Sequence, residues 1–320
     1  MINKDILHCS LVSIKCILLP LFIGYFERFH MQKSKSRRDF IGSLAVTGFA
    51  SGTLSAGSAF ASVDAPFHAS PVSPAGNLYI DPRKVLLYEC TRKEIRDRLL
   101  EGKLKAAIIP TGSTEQHNEH VAMIMDTAAA LVVSQQAALK LYPQIIVTTP
   151  VPIGISPHWM NRKGTLTLRK ETFLEVVYDI CDSLKTHGIT TILIVNGHGG
   201  NAAPLQEKVP EFKSKLGINL DWCCYWDSIP SDRRKEFVDT GSVPSHAAEY
   251  ETSIALAAFP ERIRYQGVDH DKAPLNLNEN DRKWDKNTFE ESKLATPEKG
   301  ERIIGQAVEW VAEKLVKMMG

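Results

Sequence analysis

Two periodicities of apolar and polar positions follow one another along the chain. Short runs rich in branched apolar residues predict buried strands at 105–110, 145–150, 190–195 and 218–226. Longer segments with one apolar face predict helices at 127–142, 171–187, 202–216, 247–259 and 297–319. A capping box, Thr91-x-x-Glu94, predicts a further helix that ends at Gly102. We predict a break at Pro210 and an irregular polar stretch at 267–295.

The alternation of strands and helices predicts an α/β fold with three layers, α/β/α, in which helices flank a mostly parallel sheet. The composition suits a globular enzyme, with 43% hydrophobic residues and a formal net charge of +1. The chain beyond its N-terminal segment has no extended run of lysine and arginine residues, so we expect no nucleic-acid partner. The six cysteines include no Cys-x-x-Cys pair, which favours small core residues over metal ligands.

The N-terminus has the pattern of a twin-arginine export signal. Arg37-Arg38 precede a weakly apolar run, and the small residues at 59–61 form a cleavage site. The apolar run is too short for a stable membrane span. We therefore expect a periplasmic or otherwise exported protein that has no membrane segment once the leader is removed.

The chain accordingly divides into three predicted parts. These are a leader at 1–61, in which Met31 is an alternative start, an extended Pro/Ser-rich arm at 62–80, and a globular domain at 81–320.

Polar residues with metal-binding chemistry follow the predicted strand ends. Glu115 and His117 come after the first strand, on the same side of an extended chain, and Asp126 follows nine residues later. His198 lies in a glycine-rich turn after the third strand. Carboxylates and imidazoles are ligands that zinc, manganese and iron share. Ligands of open α/β sheets bind at this edge.

A third group of such residues opens the helix at 247–259. It contains His246, Glu249 and Glu251. Two carboxylates and a histidine at one helix start offer both ligand and proton-transfer chemistry.

The three motifs together resemble the creatininase (creatinine amidohydrolase) family. They are Gly-Ser-Thr-Glu-Gln-His at 112–117, Asn-Gly-His-Gly-Gly-Asn at 196–201 and His-Ala-Ala-Glu-Tyr-Glu-Thr-Ser at 246–253. The resemblance implies a creatininase-like α/β fold, a homo-oligomer that is commonly a hexamer, and two divalent metal ions, zinc, manganese or iron, per chain. It also implies a water, shared by the metals, that attacks a carbon–nitrogen bond.

Site residues are carried over by motif. Glu115, His117, Asp126 and His198 match metal ligands, with Asp126 in the bridging place. In creatininase the last ligand is a glutamate two residues after the Asn-Gly-His histidine, where this chain has Gly200.

The fifth ligand must therefore come from elsewhere. Glu249 is the candidate ligand and Glu251 its supporting carboxylate, although the motif leaves open which of the two binds metal. His246 matches the histidine that transfers protons.

Four residues are candidates for contacts with the substrate. His120 and Glu119 follow the first motif, and His158 and Trp159 lie in a loop after the second strand. The family's usual Gly-Pro-His segment is absent after His117, and no aromatic residue lies at 240–244. We therefore expect a small amide or cyclic amide other than creatinine itself.

Two alternatives stay open at this stage. The chain could be a non-catalytic subunit that keeps the creatininase fold for binding or structure. Alternatively, it could hydrolyse a formamide, a lactone or a sugar-derived substrate with the same water.

Overall fold

A four-stranded parallel sheet forms the centre of the domain. The computed structural model describes residues 83–270, 272 and 277–320, so the predicted leader and arm lie outside the described residues. The strands are β1 (Ala106–Thr111), β2 (Ile145–Val147), β3 (Thr191–Asn196) and β4 (Asn219–Cys224). Their order in the sheet is β2-β1-β3-β4, and every neighbouring pair is parallel.

Seven α-helices accompany these strands within the described residues. They are α1 (Arg92–Leu100), α2 (Met125–Lys140), α3 (Lys170–Thr186), α4 (Gly199–Leu216), α5 (Glu249–Ala258), α6 (Glu279–Ser292) and α7 (Pro297–Met319). None of the described helices combines the length and the apolar character needed to cross a membrane.

Strand alternation divides the core between the two faces of the sheet. In β1, Ala106 and Ile108 pack into one core, whereas Ala107 and Ile109 pack into the other. Successive strand side chains point to opposite faces, so a strand buried on both sides is apolar throughout. One core is covered by α2, α5 and α7, and the other by α1, α3 and α4. The predicted three-layer α/β/α architecture is thus confirmed.

The helix ends follow the local signals in the sequence. Thr91 and Glu94 form the predicted capping box of α1, and the Thr296 side chain accepts a hydrogen bond from the Lys299 amide at the start of α7. Each cap satisfies a backbone N–H that has no partner within its own helix.

Two predictions about helices were wrong. The helix α4 runs through Pro210 and already begins at Gly199. The stretch 267–295 is not irregular throughout, because it contains α6, which Asn278 caps through a box with Asp281. This helix is strongly polar, with few apolar positions from which a period could be read.

The carboxyl ends of β1 and β3 lie side by side. Thr111 pairs with Asn196 in the register, and the Thr111 hydroxyl donates to Asn196 Oδ1 over 3.0 Å in the buried interior. The segments that continue from these two strands carry Glu115, His117 and His198, so the sheet brings the first two motifs to one edge.

The packing of α7 against α5 requires a residue without a side chain. A Cβ added at Gly300 would lie 2.0 Å from the Ser253 carbonyl oxygen, whereas a Cβ at Gly305 of the same helix would meet nothing within 4 Å. We predict that Gly300→Ala lowers the free energy of unfolding by about 1–3 kcal/mol through overpacking. Gly305→Ala should raise it by up to about 1 kcal/mol through helix propensity.

Urea denaturation of both variants checks this prediction. Equal effects of the two substitutions would contradict the close approach at Gly300.

Candidate metal centre

Five side chains with ligand chemistry converge at the carboxyl edge of the sheet. Glu115 and His117 come from the segment after β1, and Asp126 from the first turn of α2. His198 precedes α4, and Glu251 lies in the first turn of α5. The site therefore lies where ligands of open α/β sheets bind.

The carboxylate of Asp126 lies between two histidines. Its Oδ1 is 3.0 Å from His117 Nε2, and its Oδ2 is 3.0 Å from His198 Nδ1. The two oxygens of one side chain thus face two different imidazoles, which is the geometry of a bridging ligand.

A further carboxylate accompanies each histidine. Glu115 Oε1 lies 3.4 Å from His198 Nδ1, and Glu251 Oε2 lies 3.4 Å from His117 Nε2. His117, Asp126 and Glu251 form one group that could hold a metal ion. Glu115 and Asp126 form a second group around His198 Nδ1, at 3.4 and 3.0 Å, and Asp126 belongs to both. Glu115 also comes within ligand distance of two further pairs, His158 with His198 and His117 with His246.

Hydrogen bonds on the far side of each imidazole orient its free nitrogen. His117 Nδ1 lies 3.1 Å from the Glu115 carbonyl oxygen, and His198 Nε2 lies 3.0 Å from the Ile155 carbonyl oxygen. A carbonyl can only accept, so these nitrogens carry the protons. The opposite nitrogens face Asp126, and they could bind a metal there once they release their protons.

The cluster fits divalent cations better than it fits an empty protein interior. All five side chains are buried, and Glu115 Oε2 has no hydrogen-bond partner. Within the described part of the chain, these carboxylates form ion pairs with histidines and with no lysine or arginine. Burying such charges without compensation is costly, and metal ions would supply the missing positive charge.

The protonation equilibria show the same excess of negative charge. Burial alone would lower the pKa of His198, but the adjacent Asp126 and Glu115 carboxylates raise that pKa to about 10. Burial raises the pKa of Glu251 above its ordinary value, against the attraction of His117. In the absence of metal the cluster therefore tends to hold protons, which metal binding would release.

The structure does not bring Glu249 to this cluster. Its carboxylate is buried, accepts hydrogen bonds from the amides of Asp239 and Thr240 at 2.8 and 2.9 Å, and pairs with Lys299 Nζ at 2.6 Å. Residues two positions apart on an α-helix are rotated by about 200° relative to one another around the helix axis. Glu249 and Glu251 therefore point to different sides of α5, and the structure brings Glu251 to the cluster instead of the predicted Glu249.

Gly200 lies at the position where creatininase has its last metal-binding glutamate, and the backbone here leaves no space for a side chain. A Cβ built at this position would lie 2.1 Å from the Ile155 carbonyl oxygen and 2.4 Å from His198 Nε2. This backbone has no room for a glutamate there. The carboxylate comes from α5 instead.

His246 lies beside the metal cluster without belonging to either group around Asp126. Its Nε2 donates to the Gln116 carbonyl oxygen over 2.7 Å, and its Nδ1 lies 3.6 Å from Glu115 Oε1. Burial, followed by the nearby His117, holds the pKa of His246 well below its ordinary value. The ring is therefore neutral near pH 7, with Nδ1 free to accept a proton.

A cavity of about 480 Å³ opens onto the cluster. Its walls include His158, Trp159, Trp226 and Ser245, and its base includes ligand residues and His246. Two of the predicted substrate residues, His158 and Trp159, thus border the cavity. Trp226 was not among them, although it follows directly on β4 and the strand-end argument could have found it.

The other two predicted substrate residues do not reach the cavity. His120 is buried beside Tyr265 and Phe289, with Nε2 3.2 Å from the Thr252 hydroxyl. Burial lowers the pKa of His120 to about 4. Glu119 accepts a hydrogen bond from the Asp269 amide at the surface. The structure therefore places neither of these two predicted substrate residues in the lining of this cavity.

Comparison with known proteins agrees with this geometry. The Creatininase family, creatinine amidohydrolase, matches over residues 88–315. The chain belongs to the creatininase family. Its members are metal-dependent hydrolases that act on carbon–nitrogen bonds, and the family predicted from the three motifs is confirmed.

Individual relatives within the family are distant. A 3-dehydro-scyllo-inosose hydrolase of Thermotoga maritima is 31% identical over 187 residues, which cover 56% of this chain and 58% of that protein. A creatinine amidohydrolase of Pseudomonas putida is 26% identical over 254 residues, which cover 73% of this chain and 96% of that protein.

The solved structures support the fold. A mutant creatininase of the Zn–Zn type superposes with a TM-score of 0.60 at 23% identity, covering 73% of this chain and 98% of that one.

The different positions of Glu249 and Glu251 lead to a matched pair of variants. We predict that Glu251→Gln loses metal, because an amide is a poor substitute for an anionic ligand. Glu249→Gln should keep its metal but lower the free energy of unfolding by about 2 kcal/mol, through weakened hydrogen bonds to charged groups. Metal analysis and urea denaturation test the pair, and metal loss in Glu249→Gln alone would reverse the assignment.

Proposed function

We propose that the protein is a dinuclear metal hydrolase that cleaves the carbon–nitrogen bond of a small amide or cyclic amide. The observation that carries this proposal is the bridging geometry of Asp126, whose two oxygens face two histidines 3.0 Å away. A single metal ion would need only one of the two imidazole–carboxylate groups that Asp126 joins.

The ligand set divides between two ions. Glu115 and His198 would hold one, His117 and Glu251 would hold the other, and Asp126 would bind both. When bound, two divalent ions such as zinc, manganese or iron supply an ionised water and positive charge to stabilise the developing oxyanion. The donor set accepts all three metals.

His246 is placed to move a proton. Its Nε2–H is held by the Gln116 carbonyl, so the bare Nδ1 can take a proton at the cavity and deliver it to a leaving nitrogen. Collapse of a tetrahedral adduct requires such a proton, because an amide anion is a poor leaving group.

The cavity walls favour a small substrate without a strong negative charge. No lysine or arginine is among the described residues that line it, and the indole rings of Trp159 and Trp226 form part of its walls. Aromatic rings suit planar amides and the C–H faces of sugar-like rings. The similarity to an inosose hydrolase makes a sugar-derived ring the second candidate, beside formamides and lactones.

A non-catalytic binding subunit is the competing hypothesis. A protein that had lost catalysis would have no reason to keep five convergent ligands, two oriented tautomers and a neutral histidine at the cavity. This intact set supports the enzyme.

Assembly and location extend the proposal. We infer a homo-oligomer, a hexamer by family resemblance, and export through the twin-arginine route to the periplasm. The twin-arginine route carries folded proteins, which suits an enzyme that acquires its metals before it crosses the membrane.

The bridging role of Asp126 gives the decisive experiment. We predict about two divalent ions per chain in the wild type and fewer than one in Asp126→Ala. Hydrolysis should fall at least about 1000-fold, because several kcal/mol of charge stabilisation disappear. Metal analysis and a product screen over lactams, formamides, lactones and cyclic sugar derivatives provide the two measurements.

Glu119→Gln is the matched control, since its carboxylate lies in the same segment but outside the cavity. It should keep both metal and turnover. Full metal occupancy without hydrolysis of any compound in the wild type would favour the binding subunit, and one ion per chain would contradict the dinuclear centre.

The export signal is tested separately. We predict that replacing Arg37 and Arg38 by lysine retains the protein in the cytoplasm, because the twin-arginine pair is the feature that the transport system reads. Cell fractionation followed by immunoblotting measures this. Unchanged export of the double variant would contradict the leader.

A further inference from the structure

The buried cation of Arg162 has no part in the chemistry proposed above. Its side chain is 8% exposed, and Nη2 lies 3.0 Å from Asp285 Oδ1. The guanidinium carbon lies 4.8 Å from the ring centroid of Trp159 and 5.5 Å from that of Trp284. An arginine buried between two indoles and a carboxylate is a costly arrangement that calls for a specific role.

A column of stacked groups connects this cation to the metal centre. Trp159 lies on His246 with ring centroids 4.5 Å apart and planes inclined by 22°. His246 in turn lies 4.4 Å from the ring of His117. The order of the column is therefore Arg162, Trp159, His246 and His117.

The helix α6 anchors the outer end of the column. Asp285 pairs with Arg162 through its side chain, and its backbone carbonyl accepts a hydrogen bond from Asn118 Nδ2 over 2.8 Å. Asn118 follows His117 directly and has a left-handed φ of 57°. One point on α6 thus holds both the loop of Trp159 and the segment of His117.

His246 needs such support because hydrogen bonds alone do not fix its ring. Its ring is held through Nε2–H, which donates to the Gln116 carbonyl oxygen, and the Gln116 side-chain nitrogen lies 2.9 Å from the same ring atom. Bonds at one edge still allow the ring to tilt about that edge. Contact with His117 on one side and Trp159 on the other prevents the tilt.

Trp159 cannot provide this contact unaided. It borders the open cavity, so it depends on other neighbours for its position. Arg162 lies over its ring at 4.8 Å, and Trp284 lies 5.2 Å from its ring centroid and 5.8 Å from that of His246.

We propose that Arg162 is a positioning residue that holds Trp159 flat against His246 and so keeps His246 Nδ1 directed at the cavity. The effect of Arg162 on turnover rests on the proposed function. The stacking geometry of the column is independent of that proposal. A simpler role, in which Arg162 only ties α6 to the domain, would leave His246 as it is after the cation is removed.

Chemical labelling of His246 distinguishes these two roles without a known substrate. The zinc-loaded full chain is treated with diethyl pyrocarbonate at fixed pH, and the modification rate of the His246 peptide is measured by mass spectrometry against that of the exposed His187. The rings of Trp159 and His117 cover most of the His246 side chain, which is 19% exposed. Arg162→Met should therefore accelerate labelling at least about fivefold, which corresponds to about 1 kcal/mol of lost restraint. Zinc content should stay the same.

Arg233→Met is the matched control. Arg233 also pairs with a carboxylate and lies over an aromatic ring, Phe237, but it is exposed and outside the site. This variant should label like the wild type. Trp159→Ala should reproduce the acceleration, and Arg162→Met in that background should add less than about twofold, because the two residues act through one stack.

Four outcomes would overturn the proposal. They are an unchanged labelling rate in Arg162→Met, loss of zinc in that variant, full additivity with Trp159→Ala, and wild-type protection in Arg162→Lys, which keeps the charge but lacks the planar fork.

Two further points keep the experiment decisive. Should Arg162→Met not fold, Asp285→Asn weakens the same pair and should accelerate labelling in the same direction. A wild-type protein that takes up no zinc would contradict the proposed function, and the labelling comparison in that protein would still test the column.

Discussion

The carboxylate of Asp126 is the group on which the whole site depends. Its two oxygens, each 3.0 Å from a different histidine, join the segments after β1 and β3 into one centre. Two histidines face this buried charge, and the carboxylates of Glu115 and Glu251 add to it. Divalent cations would supply the positive charge that the described surroundings lack.

The fold makes this concentration of carboxylates possible. Asp126 and Glu251 lie in the first turns of α2 and α5, where the helix dipole stabilises negative charge. The sheet places Thr111 and Asn196 in register, which brings the two loops with histidines together. Ligands therefore come from rigid elements and their immediate continuations, and the loops are left to shape the cavity.

Departures from the usual family motifs cluster around the cavity and α6. Gly200 excludes the glutamate found there in creatininase, and Glu251 supplies a carboxylate from α5. Asn118 adopts a left-handed conformation and reaches α6 through its side chain. These departures lie beside the metal cluster and beside α6, which Arg162 also contacts through Asp285.

The sequence by itself determined the order of strands and helices, the family, and four of the five converging side chains. It could do so because burial on both faces makes a strand apolar throughout, and because Glu115, His117, Asp126 and His198 lie in recognisable motifs beside strand ends. Only the tertiary structure decided between Glu249 and Glu251. Both fit the motif, and their directions depend on how α5 is rotated against Lys299 and His117. It also revealed how α6 meets the Arg162 column, because the contacts of Asp285 with Arg162 and Asn118 join residues more than one hundred positions apart and no local pattern records them.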